Sequence, residues 1–442
     1  MQLSSRWVYY PARDASATLG MTFFCCAMKN LTLLLLLLVL CVAHLSARAQ
    51  SGCRDPRATN YNPAATVNDG SCQYATTTSP LPLRAPLDAA VPETSGLQYS
   101  DQKLWTFNDS GNPPVLFRVD SVSGNVVQQV TVSNFPNVDW EDIAADAQYL
   151  YVGDCGNNSG DRQNLKILRV AKAAIGPGAA VAVAAQAINF SYPDQTSFTP
   201  SNTHNFDCEA FFYFNDSLHL FTKNRGDLQT KYYTVPAQPG TYVAHFKARF
   251  NVNGLITAAD LNAAGTGAAL LGYNTSTGAT FLWLLSDFAG TRFLAGNKRR
   301  IELPNALFIG QAEGLGFIDN YRVFVSNERI SSPFTVPQRL YALNTRPWLA
   351  PALPTATSAG VGAGISIAPN PARHALRIAR TGGSSGALEL ALQDLQGRIV
   401  LTAQLLPGRD FHDLDVSQVS AGVYVLQVTS PAGRFSRKIE IP

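Results

Sequence analysis

Between Pro82 and Trp348 the chain repeats one short pattern, and no other feature limits its fold as tightly. Five segments carry the pattern: ETSGLQYSDQKLWTFNDSG, EDIAADAQYLYVGDCGNN, EAFFYFNDSLHLFTKNRG, ADLNAAGTGAALLGYNTSTGATFLWLLSDFAG and EGLGFIDNYRVFVSNER. Each has an acidic residue at or near its start and runs through a strand of small and apolar residues. It then turns at Asp, Asn or Gly and passes into a second, more hydrophobic strand. Two further strands often follow, as in PVLFRVD with NVVQQVTV, or LKILRVA with QAINFSY. Four antiparallel strands recurring about every fifty residues describe the blades of a β-propeller. The leading acids are Glu93, Glu141, Glu209, Asp260 and Glu313, at steps of 48, 68, 51 and 53, so five units are visible. The long interval after Glu141 leaves room for an irregular sixth blade. The last unit, after QRLYALNT, lacks an outer strand, and LPLRAPLD (81–88) can supply it, closing the ring by joining its two ends. A β-sandwich, or a pair of them, is the plainer alternative, and the repeat spacing favours the propeller.

In such a ring the innermost strands border the axis, so a side chain repeated at the start of each must face its counterparts. Carboxylates converging in this way repel one another unless a cation, water or basic partners compensate. The corners after the second strands add Asn108 and Asp109, Asp154 and Asn157, Lys223 and Arg225, Asp287, and Asn327 with Glu328 and Arg329. The candidate mouth ligands are therefore Glu93, Asp109, Glu141, Asp142, Asp154, Glu209, Asp260, Asp287, Glu313 and Glu328, with Lys223, Arg225 and Arg329 as anion-binding candidates. Acids and bases on one face suit a metal plus an anionic ligand. The plainer alternative is that these groups only satisfy backbone and water in the channel.

Other chemistries have no support. The chain contains no G-x-S-x-G, H-E-x-x-H, phosphate-binding loop or dinucleotide fingerprint. His204 and His219 lack partners at ligand spacing, and Trp105, Trp140 and Trp283 are expected to pack between blades. A formal charge of +3 without a basic run interleaved with aromatics argues against nucleic acid as a partner.

The amino-terminal 50 residues are of another kind. Lys29 precedes LTLLLLLLVLCVAHLSARAQ, a positive start, an apolar run and an Ala-x-Ala end, which read as a secretory signal peptide over 28–50, with 1–27 a mis-assigned upstream extension. The run is shorter than the ~20 residues that span a bilayer, so no transmembrane anchor is expected in the mature form. Cys53, Cys72, Cys155 and Cys208 then remain, an even number in an exported chain. The expected pairs are Cys53–Cys72 and Cys155–Cys208, with two free buried thiols as the alternative for the second.

Residues 51–74 are too few to bury a core and need a staple or a metal. Asp55, Asn60, Asn62, Asn68 and Asp69 offer short oxygen ligands suited to calcium. The stretch, G-C-x-D-x-x-A-x-N-Y-N-P through D-G-S-C-x-Y, resembles a cysteine-bounded module of secreted Bacteroidetes proteins. That resemblance fits a calcium-stabilised spacer and a disulfide-only spacer equally. Residues 75–80 read as a linker, as do 349–363, rich in Pro, Ala and Gly.

From 364 to 442, short alternating strands separated by turns predict a small Ig-like β-sandwich. Pro369-Asn370-Pro371, LQDLQGRIV with Gly397, and LDVSQVSAGVYVLQV with Gly422 and Tyr424 resemble the type A C-terminal sorting domain of the type IX secretion system. The resemblance implies the secretion machinery as a partner, and a product attached to the cell surface or released. Within 81–348, VDWEDIA, YVGDCGNN and LFTKNRG resemble secreted bacterial propellers distantly related to esterase-like phytase domains. The sequence thus leads to an all-β protein, a five- or six-bladed propeller followed by a sandwich. Its expected role is binding an extracellular ligand at a metal-supported acidic mouth. The alternative is a calcium-dependent phosphoesterase.

Overall fold

The computed structural model describes residues 49–332, 335–350, 364–380, 386–395, 397–430 and 433–442. The upstream extension, nearly all of the signal peptide and most of the second linker lie outside them. The chain divides after Ser51, and the unit Gly52–Pro442 carries the cysteine module, the blades and the tail.

The short amino-terminal module has strands β1 (Ser51–Gly52) and β2 (Val67–Asn68) and the predicted Cys53–Cys72 disulfide. It is docked, and the expected linker is pinned. Asn68 Nδ2 donates to Asp287 Oδ2 and Asn297 Oδ1, both at 2.8 Å, and Lys298 Nζ donates to the Gly70 carbonyl at 3.1 Å. Arg57 Nη1 reaches the carbonyls of Pro347 and Ala350. Thr77 and Ser79 exchange backbone hydrogen bonds with Glu302.

Next comes β3 (Leu83–Pro86), and then the ring. Blade 1 is β4 (Thr94–Ser100), β5 (Lys103–Asn108), β6 (Val115–Val119) and β7 (Val126–Val132). Blade 2 is β8 (Trp140–Ala145), β9 (Tyr149–Asp154), β10 (Lys166–Ala171) and, after β11 (Ala180–Val183), β12 (Ala185–Ser191). Blade 3 is β13 (Cys208–Phe214), β14 (Ser217–Thr222), β15 (Gln229–Pro236) and, after β16 (Gly240–Val243), β17 (His245–Asn251). Blade 4 is β18 (Leu255–Leu261), β19 (Gly267–Tyr273), β20 (Thr280–Ser286) and β21 (Asn297–Leu303). Blade 5 is β22 (Gln311–Phe317), β23 (Arg322–Glu328) and β24 (Arg339–Asn344), and its fourth strand is β3.

Five blades are therefore present. The inner strands β4, β8, β13, β18 and β22 touch in that order, and β22 returns to β4. No sixth blade occupies the long interval between blades 2 and 3. Strands β11 and β16 instead pair in parallel onto the outer edges of blades 1 and 2, making each five-stranded. Closure by the expected segment holds, with Arg339 opposite Pro86 and Leu340 opposite Ala85.

Each blade buries one face against the next, as alternating strands require. Phe107 and Trp140 meet edge to face between blades 1 and 2, with centroids 5.4 Å apart. Leu97 and Phe324 join blades 1 and 5 in another core. Inner strands approach so closely that a Cβ on Gly316 would lie 2.9 Å from the Leu97 carbonyl oxygen. Cys155 and Cys208 pack together between blades 2 and 3, but the predicted disulfide is not formed. Cys155 Sγ donates instead to the Cys208 carbonyl oxygen at 3.3 Å, so that thiol is engaged by backbone.

The tail forms two facing sheets. One contains β25 (Ile365–Ala368), β26 (Ala375–Arg380) and β29 (Phe411–Asp415); the other contains β27 (Leu388–Gln393), β28 (Ile399–Leu405), β30 (Gly422–Ser430) and β31 (Gly433–Ile441). Leu376, Leu390, Leu426 and Ile439 lie in its own core. The Asn370 side chain ties the first loop to β31 through Lys438 O and Glu440 N, and Tyr424 Oη donates to Ser420 O at 2.7 Å. Gly397 takes a positive φ of 79° at its turn, which favours a residue without a side chain. Among the described residues no helix is long and apolar enough to cross a membrane.

Candidate functional site

Every inner strand breaks register near its start. The shifts fall between Ser95 and Gln98, Trp140 and Ile143, Cys208 and Ala210, Ile256 and Ala258, and Ala312 and Gly314. A bulge leaves a residue out of the ladder and re-aims its side chain. Glu141, Glu209 and Glu313 occupy these bulges in blades 2, 3 and 5, and the matching place in blade 4 is Thr257. Thr257 Oγ1 donates to the Ala312 carbonyl, and Ser95 Oγ at the blade 1 bulge donates to the Glu141 carbonyl, so both staple neighbouring strands. Three of the five leading acids, Glu141, Glu209 and Glu313, thus occupy equivalent bulges, and Glu93 and Asp260 do not. Asp260 sits near the opposite end of β18, where its carboxylate accepts from Leu261 N and Phe317 N. Glu93 precedes β4 and accepts from Asn112 Nδ2.

Among the described residues, Asp109, Asp139 and Glu141 group so that one oxygen from each lies within 4.8 Å of the others. Asp109 follows β5, Asp139 immediately precedes β8, and Glu141 is in the β8 bulge. Backbone holds the corner: Gly156 N donates to Asp139 O at 3.1 Å and Asp139 N donates to Asp154 Oδ1 at 3.2 Å. Burial, then the charges of Glu313 and Asp139, push the Asp109 carboxyl up to about 7 against a bond from Ser110 N. Burial and Asp207 push Asp139 up to about 6, with Arg162 opposing. Glu141 is driven well above the carboxylate range by burial and by Glu209, Asp109 and Asp139. Asp139 stands two residues before Glu141 in the sequence but is absent from the predicted mouth ligands, because it lies outside the repeated position.

A second flank is compensated. Lys223 Nζ donates to Glu209 Oε2, while Arg225 Nη2 contacts Asp207 Oδ2 at 3.1 Å and Glu209 Oε1 at 3.6 Å. Burial alone would lower the Lys223 amine, but Glu209, Tyr273, Glu313 and Asp207 together outweigh it and hold the amine well above its ordinary value. Asp154 accepts from Arg162 Nη2 at 2.9 Å and from Lys166 Nζ at 3.4 Å. On the third flank, Gln311 Nε2 donates to Glu313, and Glu328 at the end of β23 has a buried Oε1 without a partner. Burial and Glu313, then Asp109 and Glu93, raise Glu328 well above its ordinary range.

Four candidates serve elsewhere. Asp142, next to Glu141, accepts from Ile143 N, Phe211 N and Ala259 N, binding three inner strands together. Asp287 faces the docked module through Asn68. Arg329 is exposed, and its backbone N–H donates to the Pro92 carbonyl. Asp260 lines a cavity of about 440 Å³ at the other end of the ring. The acids of that cavity are already satisfied: Asp101 by Lys172, Asp146 by Tyr151 and Asp319 by Arg322. In the amino-terminal module, Asp55 is held by Arg57 and Tyr74. Asn60, Asn62, Asn68 and Asp69 each accept a hydrogen bond from a nearby backbone N–H.

The family of secretion system C-terminal sorting domains matches residues 366–441. The tail is such a domain and directs the protein to the cell surface or the extracellular space through the type IX secretion system. No curated protein matches the chain. Among solved structures, a 6-phosphogluconolactonase-like protein of Bacteroides uniformis ATCC 8492 is 10% identical with a TM-score of 0.30, covering 74% of this chain and 90% of its own. Another from Bacteroides fragilis NCTC 9343 is 12% identical with a TM-score of 0.29, covering 80% and 86%. An exo-β-1,3-galactanase from Phanerochaete chrysosporium is 11% identical with a TM-score of 0.35, covering 81% and 95%. The five-bladed assignment rests on this chain's own strand order.

Proposed function

We propose that the secreted propeller binds an extracellular ligand at the Asp109–Asp139–Glu141 mouth through a divalent cation, with calcium the best fit. The supporting observation is the convergence of three carboxylates within 4.8 Å, with Arg162 reaching only Asp139, at 4.0 Å. An all-oxygen set suits a hard cation, and a cation there would offset the burial and the mutual repulsion that raise all three groups. Arg162 and Arg225 at the same mouth favour an anionic group on the ligand. The test is calcium titration of the chelator-treated protein followed by thermal melting. Stabilisation should grow as RT ln(1 + [L]/Kd) and disappear in Glu141→Gln. A melting temperature indifferent to calcium would sink the reading.

The calcium-dependent phosphoesterase is the second reading, supported by Arg225, whose buried Nε has no partner beside the acids. It requires turnover of a phosphomonoester or phytate that needs calcium and is lost in Glu141→Gln. Calcium binding without turnover across such a panel leaves binding as the function.

A further inference from the structure

The outer edges of the blades are covered in a regular way, with one exception. β11, from the excursion between β10 and β12, lies parallel on β7 of blade 1, and β16, from the excursion between β15 and β17, lies parallel on β12 of blade 2. The segment ahead of the ring does the same for blade 4, where Thr78 bridges in parallel to Glu302 of β21. Blade 5 ends in β3, only four residues long and finishing at Pro86. Blade 3 ends in β17, seven residues with no strand beyond it. The matching excursion of blade 4, between β20 and β21, forms a helical turn (Phe293–Ala295) instead of a covering strand, and Phe293 is buried in the core between blades 3 and 4.

An uncovered strand leaves its outward N–H and C=O groups unpaired, which makes it a template for another strand. Among the described residues, nothing outside the blade 3 ladder hydrogen-bonds to the backbone of residues 246–250. The margin is also basic. Lys247 and Arg249 are exposed, neither has an ion pair among the described residues, and Arg249 stands opposite Lys231. Edge-to-edge pairing with a second copy would set the Lys247 and Arg249 of both copies against each other, which like charges across a ladder oppose. A strand guarded in this way against itself still accepts an acidic one.

We propose that β17 is a docking edge for an extended acidic peptide segment of another protein, which adds to blade 3 as a fifth strand parallel to β17 and sets its carboxylates beside Lys247 and Arg249. The mouth takes no part in this contact.

The probe is a labelled synthetic peptide of alternating Glu and Val with the length of β17, titrated against the intact protein and followed by fluorescence anisotropy and amide hydrogen exchange. Saturable binding is expected, with exchange slowed in residues 246–250. The same peptide with every backbone nitrogen methylated keeps its charge but cannot pair, and it should not bind. Lys247→Glu combined with Arg249→Glu should weaken binding by about tenfold or more. No saturable binding to the wild type overturns the proposal and leaves the basic residues as protection of the edge alone. Equal binding of the methylated peptide overturns it in favour of charge attraction without pairing, and undiminished binding to the folded double variant removes the role of Lys247 and Arg249.

Discussion

Gly156 lies so close to Glu141 that a Cβ on it would sit 2.1 Å from Glu141 Oε1, and 2.5 Å from Asp139 Oδ2. The absent side chain is what lets these two carboxylates share one hollow. Gly156→Ala removes no ligand atom, yet it should displace both groups and abolish the calcium-dependent rise in melting temperature. The cation-free protein should lose about 1–3 kcal/mol, the usual cost of overpacking. Calorimetry with and without calcium checks both effects, and an unchanged calcium response would remove the role given to this hollow.

Acidity should act on the cation-free protein in an unusual direction. Asp109 and Asp139 keep protons when folded up to about 7 and about 6, whereas an unfolded chain releases them near pH ~4. Between those limits the folded state binds more protons, so these groups favour folding most at low pH and progressively less as pH rises towards 7. Chelated wild type should therefore lose stability relative to Asp109→Asn between pH 4.5 and 7.5. Saturating calcium should reverse that difference. Melting curves across the range, compared between the two proteins, provide the measurement.

The buried Lys223–Glu209 contact is a different kind of element. Lys223→Met strands Glu209 with only the 3.6 Å contact to Arg225, and breaking such a pair costs roughly 3–5 kcal/mol. Lys223→Met combined with Glu209→Gln should cost less than Lys223→Met alone. Urea unfolding midpoints of the three variants decide it.

Asp142 fastens strands where Glu141 faces the mouth. Asp142→Ala leaves the N–H groups of Ile143, Phe211 and Ala259 without their acceptor, at about 1–3 kcal/mol for each buried donor. Denaturant unfolding should show a loss of roughly 3 kcal/mol or more. A loss below 1 kcal/mol would mean that water replaces the carboxylate.

The blades were legible because strand alternation and Asp, Asn or Gly corners are local properties of the chain. Closure by Leu83–Pro86 was legible as well, since blade 5 visibly lacked an edge. The site was only half legible, because its register is set by bulges, and a bulge is fixed by cross-strand pairing rather than by composition. Spacing alone put Asp260 in the ring, whereas pairing puts Thr257 there, a few residues earlier and with no charge to mark it. Asp139 and Asp207 each stand two residues before a leading glutamate, so Asp-x-Glu recurs at 139–141 and 207–209, but both lie ahead of the strand position that defines the ring. The docking of the cysteine module was likewise hidden, since Asn68 and Arg57 find partners more than 200 residues away.

Strand β3 and its partner β24 are separated by roughly 250 residues, and nothing between them can close the ring. A polypeptide made from its amino end must keep Leu83–Pro86 waiting until the last blade has emerged, with the outer edge of that blade bare meanwhile. The sorting sandwich comes later still, so the address that sends the molecule outward is completed only after the final piece needed to seal the propeller has been synthesised.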